Sequence, residues 1–429
     1  MVYVINQNGQ PLMPTENHAK VRILLKNKKA KVIKRCPFTI QLTYNSTNYT
    51  QPITLGVDAG SKVIGLSATT SEKVLFESEV VLRNDIVELL STRRENRRTR
   101  RNRKTRYRKP RFNNRTASKK AGWVAPSIRH KIDTHLTVID KTCQILPITN
   151  IIVETASFDI QKIKNPIISG TEYQQGEQLG FWNTREYVLF RDGHTCQCCK
   201  GKSKDKILNV HHIESRKTGG DAPNNLITLC ETCHTGYHDG TVTLPKTIKR
   251  GMSFRDASFM GIMRWAFYNK LKELYVPSGI DVSMTYGYIT KNTRINNKLP
   301  KEHYIDARCI SGHPLVKPTD GVYYQKKVRC HNRQIHKNKI LKGGIRKKNQ
   351  AAYQVNEFRL YDKVRYKGQE YFIFGRRSSG YFDIRTFAGT KVNKGSVNCK
   401  KLKLLERSKH YLIERRALPP TTKVEGLRA

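Results

Sequence analysis

Two Cys-x-x-Cys pairs place the tightest constraint on how this chain can fold. Cys196 and Cys199 form the first pair, Cys230 and Cys233 form the second, and 30 residues separate the two pairs. This spacing is typical of two knuckles that close one tetrahedral zinc site of four thiolates. Four thiolates leave no open position for water, so the pattern predicts a structural zinc. Cys198 is an alternative ligand with a poorer spacing.

Histidines and an asparagine stand in a fixed order around the second pair. His211 and His212 come first, Asn225 follows, and His234 comes directly after the last cysteine. Phosphodiester hydrolysis needs a general base beside a water and a cation on the phosphate oxygens. We predict His212 as the base and Asn225 as the residue that holds the loop aiming it. His211 and His234 are the predicted ligands of that cation, with His238 as an alternative to His234.

This order of residues inside a zinc frame is typical of the ββα-metal, or HNH, nuclease motif. The competing interpretation is a zinc-finger binding module without catalysis. In that module the histidines are additional zinc ligands or surface residues.

A second constraint comes from the stretch Ile53–Ser67, which predicts a hairpin that presents a carboxylate. Ile53, Leu55 and Val57 alternate on one face of a strand, so Asp58 projects from the other face at the strand's end. Gly60 permits the turn into a second apolar strand. A solvated turn aspartate has the same local pattern, so the interpretation depends on further acids in the chain.

Those acids follow later in the sequence. The buried strand Ile151-Ile152-Val153 ends in Glu154, and a helix over 301–307 places His303 and Asp306 one turn apart on one face. Reactive groups collect at the carboxyl ends of parallel strands, so we expect Glu154 beside Asp58. Asp58, Glu154 and Asp306 then form a predicted site for two Mg²⁺ or Mn²⁺ ions, in which His303 orients or deprotonates the water.

An arginine-rich segment separates the hairpin from Glu154. Eleven of the seventeen residues from Arg93 to Lys109 are basic, and no apolar stripe appears at helical spacing. The pattern predicts a helix with positive charge on every face, suited to several phosphate strands. A solvated basic linker or a localisation signal is the alternative. The predicted nucleic-acid contacts are Arg93, Arg94, Arg97, Arg98, Arg100, Arg101, Arg103, Arg106 and Arg108.

Overall charge supports a polyanionic partner. The chain has 80 Lys and Arg against 34 Asp and Glu, a net charge of +46, which favours nucleic acid. No run reaches the roughly 18 apolar residues that span a bilayer, and the first residues lack a signal-peptide core. We therefore expect a cytoplasmic protein that does not engage a membrane.

The order of strands and helices, with acids on the first strand, the fourth strand and the last helix, is that of an RNase H-like (RuvC) fold. We predict an α/β protein with this mixed-sheet core, split by an arginine-rich bridge helix and an inserted HNH domain. The predicted domains are a PLMP module (1–52), RuvC-like parts (53–90, 116–183 and 246–320), the bridge helix (91–115), the HNH domain (184–245) and a basic β-rich C-terminal domain (321–429).

These motifs together resemble the IscB family, transposon-encoded RNA-guided DNA endonucleases related to the type II CRISPR effector. The matching segments, besides the HNH insert, are Pro11–Pro14, Gly56–Gly60, Arg97–Arg101, Val153–Asp159, Tyr173–Gly176, Thr285–Arg294 and His303–Asp306. The resemblance implies that the HNH site cuts the strand paired with the guide and that the RuvC-like site cuts the non-target strand. It also implies a structured noncoding guide RNA, a double-stranded DNA target and a monomeric protein within a ribonucleoprotein.

Two other functions remain open from the sequence. One is a junction or homing endonuclease that uses both sites without RNA. The other is a structural ribonucleoprotein component with vestigial metal sites, which the presence of all the predicted catalytic residues disfavours.

Overall fold

The computed structural model describes residues 1–102, 122–155, 167–215, 219–251, 254–329 and 349–417, with positions 161, 165, 331–333, 341, 343 and 345. The chain divides into two compact units. The first comprises Met1–Asn84, Gly122–Ser157 and Met260–Ala429, and the second comprises Asp85–Ala121 and Phe158–Phe259. Among the described residues no helix is long and apolar enough to cross a membrane.

The α-helices in the described residues are α1 His18–Lys26, α2 Ile86–Asn102, α3 Pro126–Cys143, α4 Thr184–Arg191, α5 Glu231–His238, α6 Arg255–Tyr275, α7 Gly287–Asn296 and α8 His303–Ile310. The strands of the N-terminal half are β1 Val2–Ile5, β2 Pro11–Thr15, β3 Ala30–Lys34, β4 Thr39–Leu42, β5 Thr54–Asp58, β6 Val63–Thr69, β7 Val74–Val81 and β8 Asn150–Glu154. Those that follow are β9 Leu208–His212, β10 Leu226–Cys230, β11 Asp281–Thr285, β12 Gly321–Lys327, β13 Gln354–Val355, β14 Phe358–Arg359, β15 Lys363–Tyr366, β16 Gln369–Arg376, β17 Tyr381–Arg385, β18 Val397–Asn398, β19 Lys403–Glu406 and β20 Tyr411–Ala417.

A four-stranded sheet in the order β2-β1-β4-β3 forms the N-terminal module. Apolar side chains of its strands and of α1 make one buried cluster that includes Val4, Val21 and Ile40. The hydroxyl of Tyr3 donates a hydrogen bond to the carbonyl of Leu75, at a distance of 3.0 Å. This bond links the module to β7 of the neighbouring sheet.

A seven-stranded mixed sheet in the order β11-β8-β5-β6-β7-β12-β20 forms the centre of the first unit. Strands β5, β6 and β7 are an antiparallel meander, as the sequence predicts. Strand β8 pairs in parallel with β5, and β11 pairs in parallel with β8. The prediction of a mixed α/β protein is therefore confirmed.

The segment predicted as the C-terminal domain contributes to three sheets. Strand β12 extends the central sheet by pairing with β7, and β20 returns to pair with β12. Between them, β13 and β14 form a two-stranded sheet, and the later strands form a five-stranded sheet in the order β18-β17-β16-β15-β19, over a core that includes Ile373 and Phe382. The aromatic-rich segment 358–384 predicts short strands in a small β-barrel or curled sheet, and strands β14 to β17 lie there, whereas nothing in the local pattern of Gly321–Lys327 indicated its long-range partner.

Three local predictions are corrected by the structure. By residue type and position Ser127 is predicted to cap the helix that follows it, but it does not cap α3, because the helix begins at Pro126 after Ala125 and has no side-chain cap. The helical spacing of Ile262 and Leu274 predicts that they lie on the core face of α6, but these side chains are 52% and 46% exposed. The helix predicted from 301 begins at His303, because Glu302 adopts an extended backbone as its N-cap.

His135 joins α3 to α6 in the buried interior of the first unit. Its ring packs against Phe267 with a centroid distance of 5.1 Å, and Nδ1 lies 2.8 Å from the carbonyl oxygen of Lys131. Burial lowers the pKa of His135 from 6.5 to about 4. The folded state therefore holds this imidazole neutral, while the unfolded chain protonates it below about pH 6.5.

This difference predicts acid sensitivity of the fold. Between pH 6.5 and 4 the unfolded state binds the extra proton, so His135 reduces the free energy of unfolding by up to about 3 kcal/mol as the pH falls. The urea unfolding midpoint of the wild type, followed against pH, should lose more in this window than that of His135→Leu. Equal pH slopes for the two proteins would contradict the assignment.

Candidate active sites

Two acids end neighbouring parallel strands of the central sheet. Asp58 is the last residue of β5 and Glu154 is the last residue of β8, and the register pairs Val57 with Val153 just before them. Both side chains therefore reach the same edge of the sheet. The structure brings together the two acids that the sequence placed at the ends of separate strands.

Helix α8 carries the other two predicted residues to this edge. His303 Nδ1 lies 2.7 Å from Asp58 Oδ2. Asp306 lies one turn further along the helix, and its Oδ1 is 2.8 Å from Nε of Arg294 on α7, without the alignment of a hydrogen bond. All four predicted residues of the acidic site thus belong to one region of the first compact unit.

Glycines allow α8 to lie directly on the sheet. A Cβ added at Gly65 would lie 2.0 Å from the carbonyl oxygen of His303, and one at Gly56 would lie 1.9 Å from that of Ala307. Gly65 is the cross-strand partner of Asp58 on β6. The absence of a side chain there brings the first turn of α8 over the strand that carries Asp58.

Burial and mutual repulsion disfavour ionisation of these carboxyls. Burial, followed by the charge of Asp58, raises the pKa of Glu154 to about 7. The same two causes raise the pKa of Asp306, and Arg294 opposes them. A divalent cation would relieve this repulsion, and hard carboxylate oxygens are the donors that Mg²⁺ and Mn²⁺ prefer.

Two acids of β7 that the sequence analysis did not select hold α8 in place. Glu79 Oε1 accepts a hydrogen bond from the backbone N–H of His303 at 3.0 Å. Glu77 is fully buried and pairs with Arg308, whose Nη2 lies 2.7 Å from Oε1. Glu79 lies opposite Gly65 in the register of β6 and β7, so the alternation of β7 was the only local signal for its position.

Loss of the Glu79 acceptor is expected to loosen the first turn of α8. Glu79→Ala leaves the His303 N–H without this partner and should reduce cleavage at the acidic site by about ten- to a hundredfold, as loss of a charge-assisted hydrogen bond of about 1.5–3 kcal/mol implies. Glu79→Gln retains an acceptor oxygen and should recover most of this activity. Strand-resolved cleavage rates test the prediction, and equal loss in both variants would contradict a role for the hydrogen bond.

The four cysteines of the two Cys-x-x-Cys pairs converge in the second unit. The Sγ atoms of Cys196, Cys199, Cys230 and Cys233 all lie within 4.8 Å of one another. Cys199 and Cys230 sulfurs are 3.8 Å apart, whereas Cys198 is outside this set. Hydrogen bonds from Ser203 lower the pKa of Cys199 to about 6, while burial raises the pKa of Cys196. Four convergent thiols fit a tetrahedral Zn²⁺ in donor type and number.

We expect one zinc ion per chain, which stabilises the zinc module, residues 196–240 with the four cysteines. Cys230→Ser should abolish zinc retention and unfold the module, because a structural zinc of this type supplies on the order of 10 kcal/mol of binding free energy. Elemental analysis and thermal unfolding test both outcomes, and Cys198→Ser is the matched control that should keep the metal. A full zinc content in Cys230→Ser would contradict the four-thiolate assignment.

Three imidazoles form a second cluster beside the zinc module's short sheet. His211 on β9 and His234 and His238 on α5 offer ring nitrogens that all lie within 4.8 Å of one another. Burial and the neighbouring histidines lower the pKa of His211 to about 4, so its ring is neutral and able to bind a cation. The sequence treated His238 as an alternative to His234, and the structure brings both to His211 because they are four residues apart on one helix.

The predicted base and its supporting loop lie next to this cluster. His212 Nε2 is 2.9 Å from Asp221 Oδ1, a partner that the sequence analysis did not select. Asn225 is completely buried, accepts from the N–H of Glu214, and donates from Nδ2 to the carbonyls of Glu214 and Gly220. Its hydrogen bonds join the two ends of the loop that follows β9.

The arginine-rich segment is described only as far as Asn102, where α2 ends. Arg93, Arg94, Arg97 and Arg98 lie on α2 and are exposed. The backbone of Arg100 and Arg101 continues the same helix. The other predicted contacts, Arg103, Arg106 and Arg108, lie outside the described residues.

Comparisons with known proteins give two family matches and a group of aligned solved structures. Residues 2–176 match the RRXRR protein family, and residues 196–240 match the HNH endonuclease family. No curated protein matches the chain. Solved structures that align with it are Streptococcus thermophilus Cas9 in complex with the AGAA PAM (11% identity, TM-score 0.33), with the AGGA PAM (13%, 0.33) and with the GGAA PAM (12%, 0.32). Each alignment covers 61% of this chain and 32% of the other, so the chain spans about a third of the length of these Cas9 chains.

The match over residues 196–240 gives the chain an HNH endonuclease domain, which supports nuclease activity, a hydrolysis. The order of an RRXRR region followed by an HNH domain is that of the IscB and Cas9 type. The resemblance to the IscB family predicted from the sequence is therefore confirmed.

Proposed function

We propose that this chain is an RNA-guided endonuclease that cuts both strands of DNA. The observation that carries the proposal is the convergence of Asp58, Glu154, His303 and Asp306 on one sheet edge, in a chain that also has an HNH domain. Two separate sets of hydrolytic residues fit an enzyme with one site for each strand.

The strand order supports an RNase H-like, RuvC-type core. Strands β5, β6 and β7 form the meander, and β8 and β11 extend it in parallel on the side of β5. The acids of this site end β5 and β8 and begin α8, in the order expected for that fold.

At the acidic site, Asp58, Glu154 and Asp306 would hold two Mg²⁺ or Mn²⁺ ions. Bound metal supplies positive charge for the attacking and leaving oxygens of an in-line displacement. Asp58 contacts the His303 imidazole, and Glu79 accepts a hydrogen bond from the His303 N–H, so these two acids fix the position of His303. In this position the imidazole orients or deprotonates the attacking water. Arg294 places positive charge beside Asp306, and a bound cation would supply that charge instead.

At the HNH site, His212 is the proposed general base. Asp221 at Nε2 fixes the orientation of this ring, and Nδ1 remains to accept a proton from water. His211, His234 and His238 would hold one divalent cation that supplies charge for the scissile phosphate. Asn225 keeps the loop after β9 in the shape that places Asp221 beside the base.

Guide RNA and strand assignment follow from the resemblance and from charge. The net charge of +46 and the exposed arginines of α2 suit a large bound polyanion. We propose that a structured noncoding RNA pairs with the target strand, which the HNH site cuts, while the RuvC-type site cuts the other strand. The protein would act as a monomer within this ribonucleoprotein.

Plasmid cleavage by the full chain, purified with and without its co-expressed noncoding RNA, tests the proposal. Supercoiled, nicked and linear products are measured in magnesium. Cutting that requires the RNA and follows an altered guide sequence is expected. Cutting that ignores the RNA would instead indicate a junction or homing endonuclease, and RNA binding without cutting would indicate a structural ribonucleoprotein component.

A further inference from the structure

A cavity of about 310 Å³ lies in the first compact unit, away from the acidic site. Lysines from four separate elements line it: Lys34 from β3, Lys141 from α3, Lys363 from β15 and Lys409 from the connection before β20. The chain therefore brings together ammonium groups that are far apart in sequence.

Acidic partners compensate only part of this positive charge. Lys363 pairs with Glu370 at 2.5 Å, and the lining residue Arg407 pairs with Asp362 at 3.0 Å. For Lys34, Lys141 and Lys409, no carboxylate of the described residues lies within ion-pair distance. Glu406 is the acid in the lining, and burial raises the pKa of its carboxyl.

Lys141 is the most constrained of these lysines. Its Nζ lies 3.6 Å from the ring centroid of Tyr411, and Lys327 Nζ lies 4.3 Å from the same ring. Burial, followed by the charges of Lys34, Lys327 and Lys409, lowers the pKa of Lys141 to about 7. Holding several ammonium groups together without acidic partners is unfavourable unless an anion joins them.

We propose that this cavity binds a phosphate group of the RNA backbone. Ammonium groups act as point charges toward phosphate, and the cavity volume is several times that of a water molecule, which occupies about 30 Å³. The buried ring of Tyr411 and the lining side chains of Ile145 and Phe372 form an apolar wall that strengthens the field of the lysines. The assignment of the phosphate to RNA rests on the proposed function, and a free anion of the same chemistry is the other source.

The test uses the full chain freed of nucleic acid, with two measurements. In the first, inorganic pyrophosphate is added at constant ionic strength and the thermal unfolding midpoint is followed. In the second, binding of the co-expressed noncoding RNA is measured against salt concentration. The variants are Lys141→Gln and Lys409→Gln, with Lys409→Arg retaining the charge and Lys31→Gln as a control on an exposed residue of β3 outside the cavity.

We expect pyrophosphate to raise the thermal unfolding midpoint of the wild type, Lys409→Arg and Lys31→Gln. It should not raise the midpoint of the two cavity variants Lys141→Gln and Lys409→Gln. The slope of log affinity against log salt should fall by about 0.7–0.9 in each cavity variant, the value for one phosphate contact. Because Lys409 is exposed, its variant tests the site even where Lys141→Gln disturbs folding.

Other outcomes distinguish an RNA phosphate from a free anion as the ligand of the cavity. Loss of the pyrophosphate effect with an unchanged RNA slope would overturn the RNA assignment and indicate a free anion. No pyrophosphate effect on the wild type, together with unchanged slopes, would overturn the site itself. A wild type that binds pyrophosphate through these lysines but cuts DNA without RNA would refute the proposed function and leave the phosphate site standing.

Discussion

Asp58→Ala is expected to convert the protein into a nickase that leaves uncut the DNA strand assigned to the RuvC-type site. Asp58 ends the strand at the centre of the acidic site and contacts His303, so its loss removes both a metal ligand and the partner of the proposed base. Loss of several kcal/mol of transition-state stabilisation with Asp58 corresponds to a decrease of about a thousandfold in the rate of that cut. A target duplex labelled separately on each strand measures the two cuts independently.

His212→Ala is the reciprocal variant and should abolish cutting of the guide-paired strand alone. Asp133→Ala, which removes an exposed acid of α3 away from both sites, is the matched control and should cut both strands at wild-type rates. If either Asp58→Ala or His212→Ala abolished both cuts, the division of labour between the two sites would be wrong.

Gly65→Ala is expected to produce the second large effect. The added Cβ would lie 2.0 Å from the carbonyl oxygen of His303 and 2.4 Å from its carbonyl carbon. These are backbone atoms, which cannot rotate away as a side chain can. Relief requires α8 to shift from β6, which should reduce the free energy of unfolding by about 3 kcal/mol or more. The shift also displaces His303 and Asp306 from Asp58, so the cut at the acidic site should be lost while the HNH cut remains.

Gly261→Ala provides the matched control. It adds the same methyl group on α6, where no described atom beyond the chain neighbours and the helix's own backbone lies within 4 Å, and it should leave both cuts unchanged. Unfolding curves and strand-resolved cleavage test the pair. Wild-type cutting of both strands by Gly65→Ala would show that close packing of α8 on the sheet does not position the catalytic residues.

Local patterns were sufficient to predict several elements of the fold and the sites. The alternation of Ile53–Ser67 predicted the hairpin whose first strand ends in Asp58, because a half-buried strand requires a period of two. The Cys-x-x-Cys spacing predicted the four-thiol cluster, because metal ligands must be close in space whatever the chain does between them. His238 was also accessible to this kind of reasoning, since a spacing of four on a helix places it beside His234.

The remaining features depend on contacts between residues that are distant in the chain. Glu79 and Glu77 resemble ordinary strand residues in sequence, and they acquire their roles only because α8 packs across β6 and β7. The same is true of Arg294, whose pairing with Asp306 depends on the position of α7. Strands β12 and β20 join the central sheet through hydrogen bonds whose partners no local pattern specifies.

The sequence by itself therefore determined the identity of the chemical groups: the acids, the imidazoles, the thiols and the surplus of positive charge. Periodicity and spacing act over one element, and they fix which face or end of that element each side chain occupies. Only the tertiary structure decided which groups meet, because the approach of α8 to Asp58, the burial and repulsion that raise the pKa of Glu154, and the lysines around Tyr411 all arise from packing between distant segments.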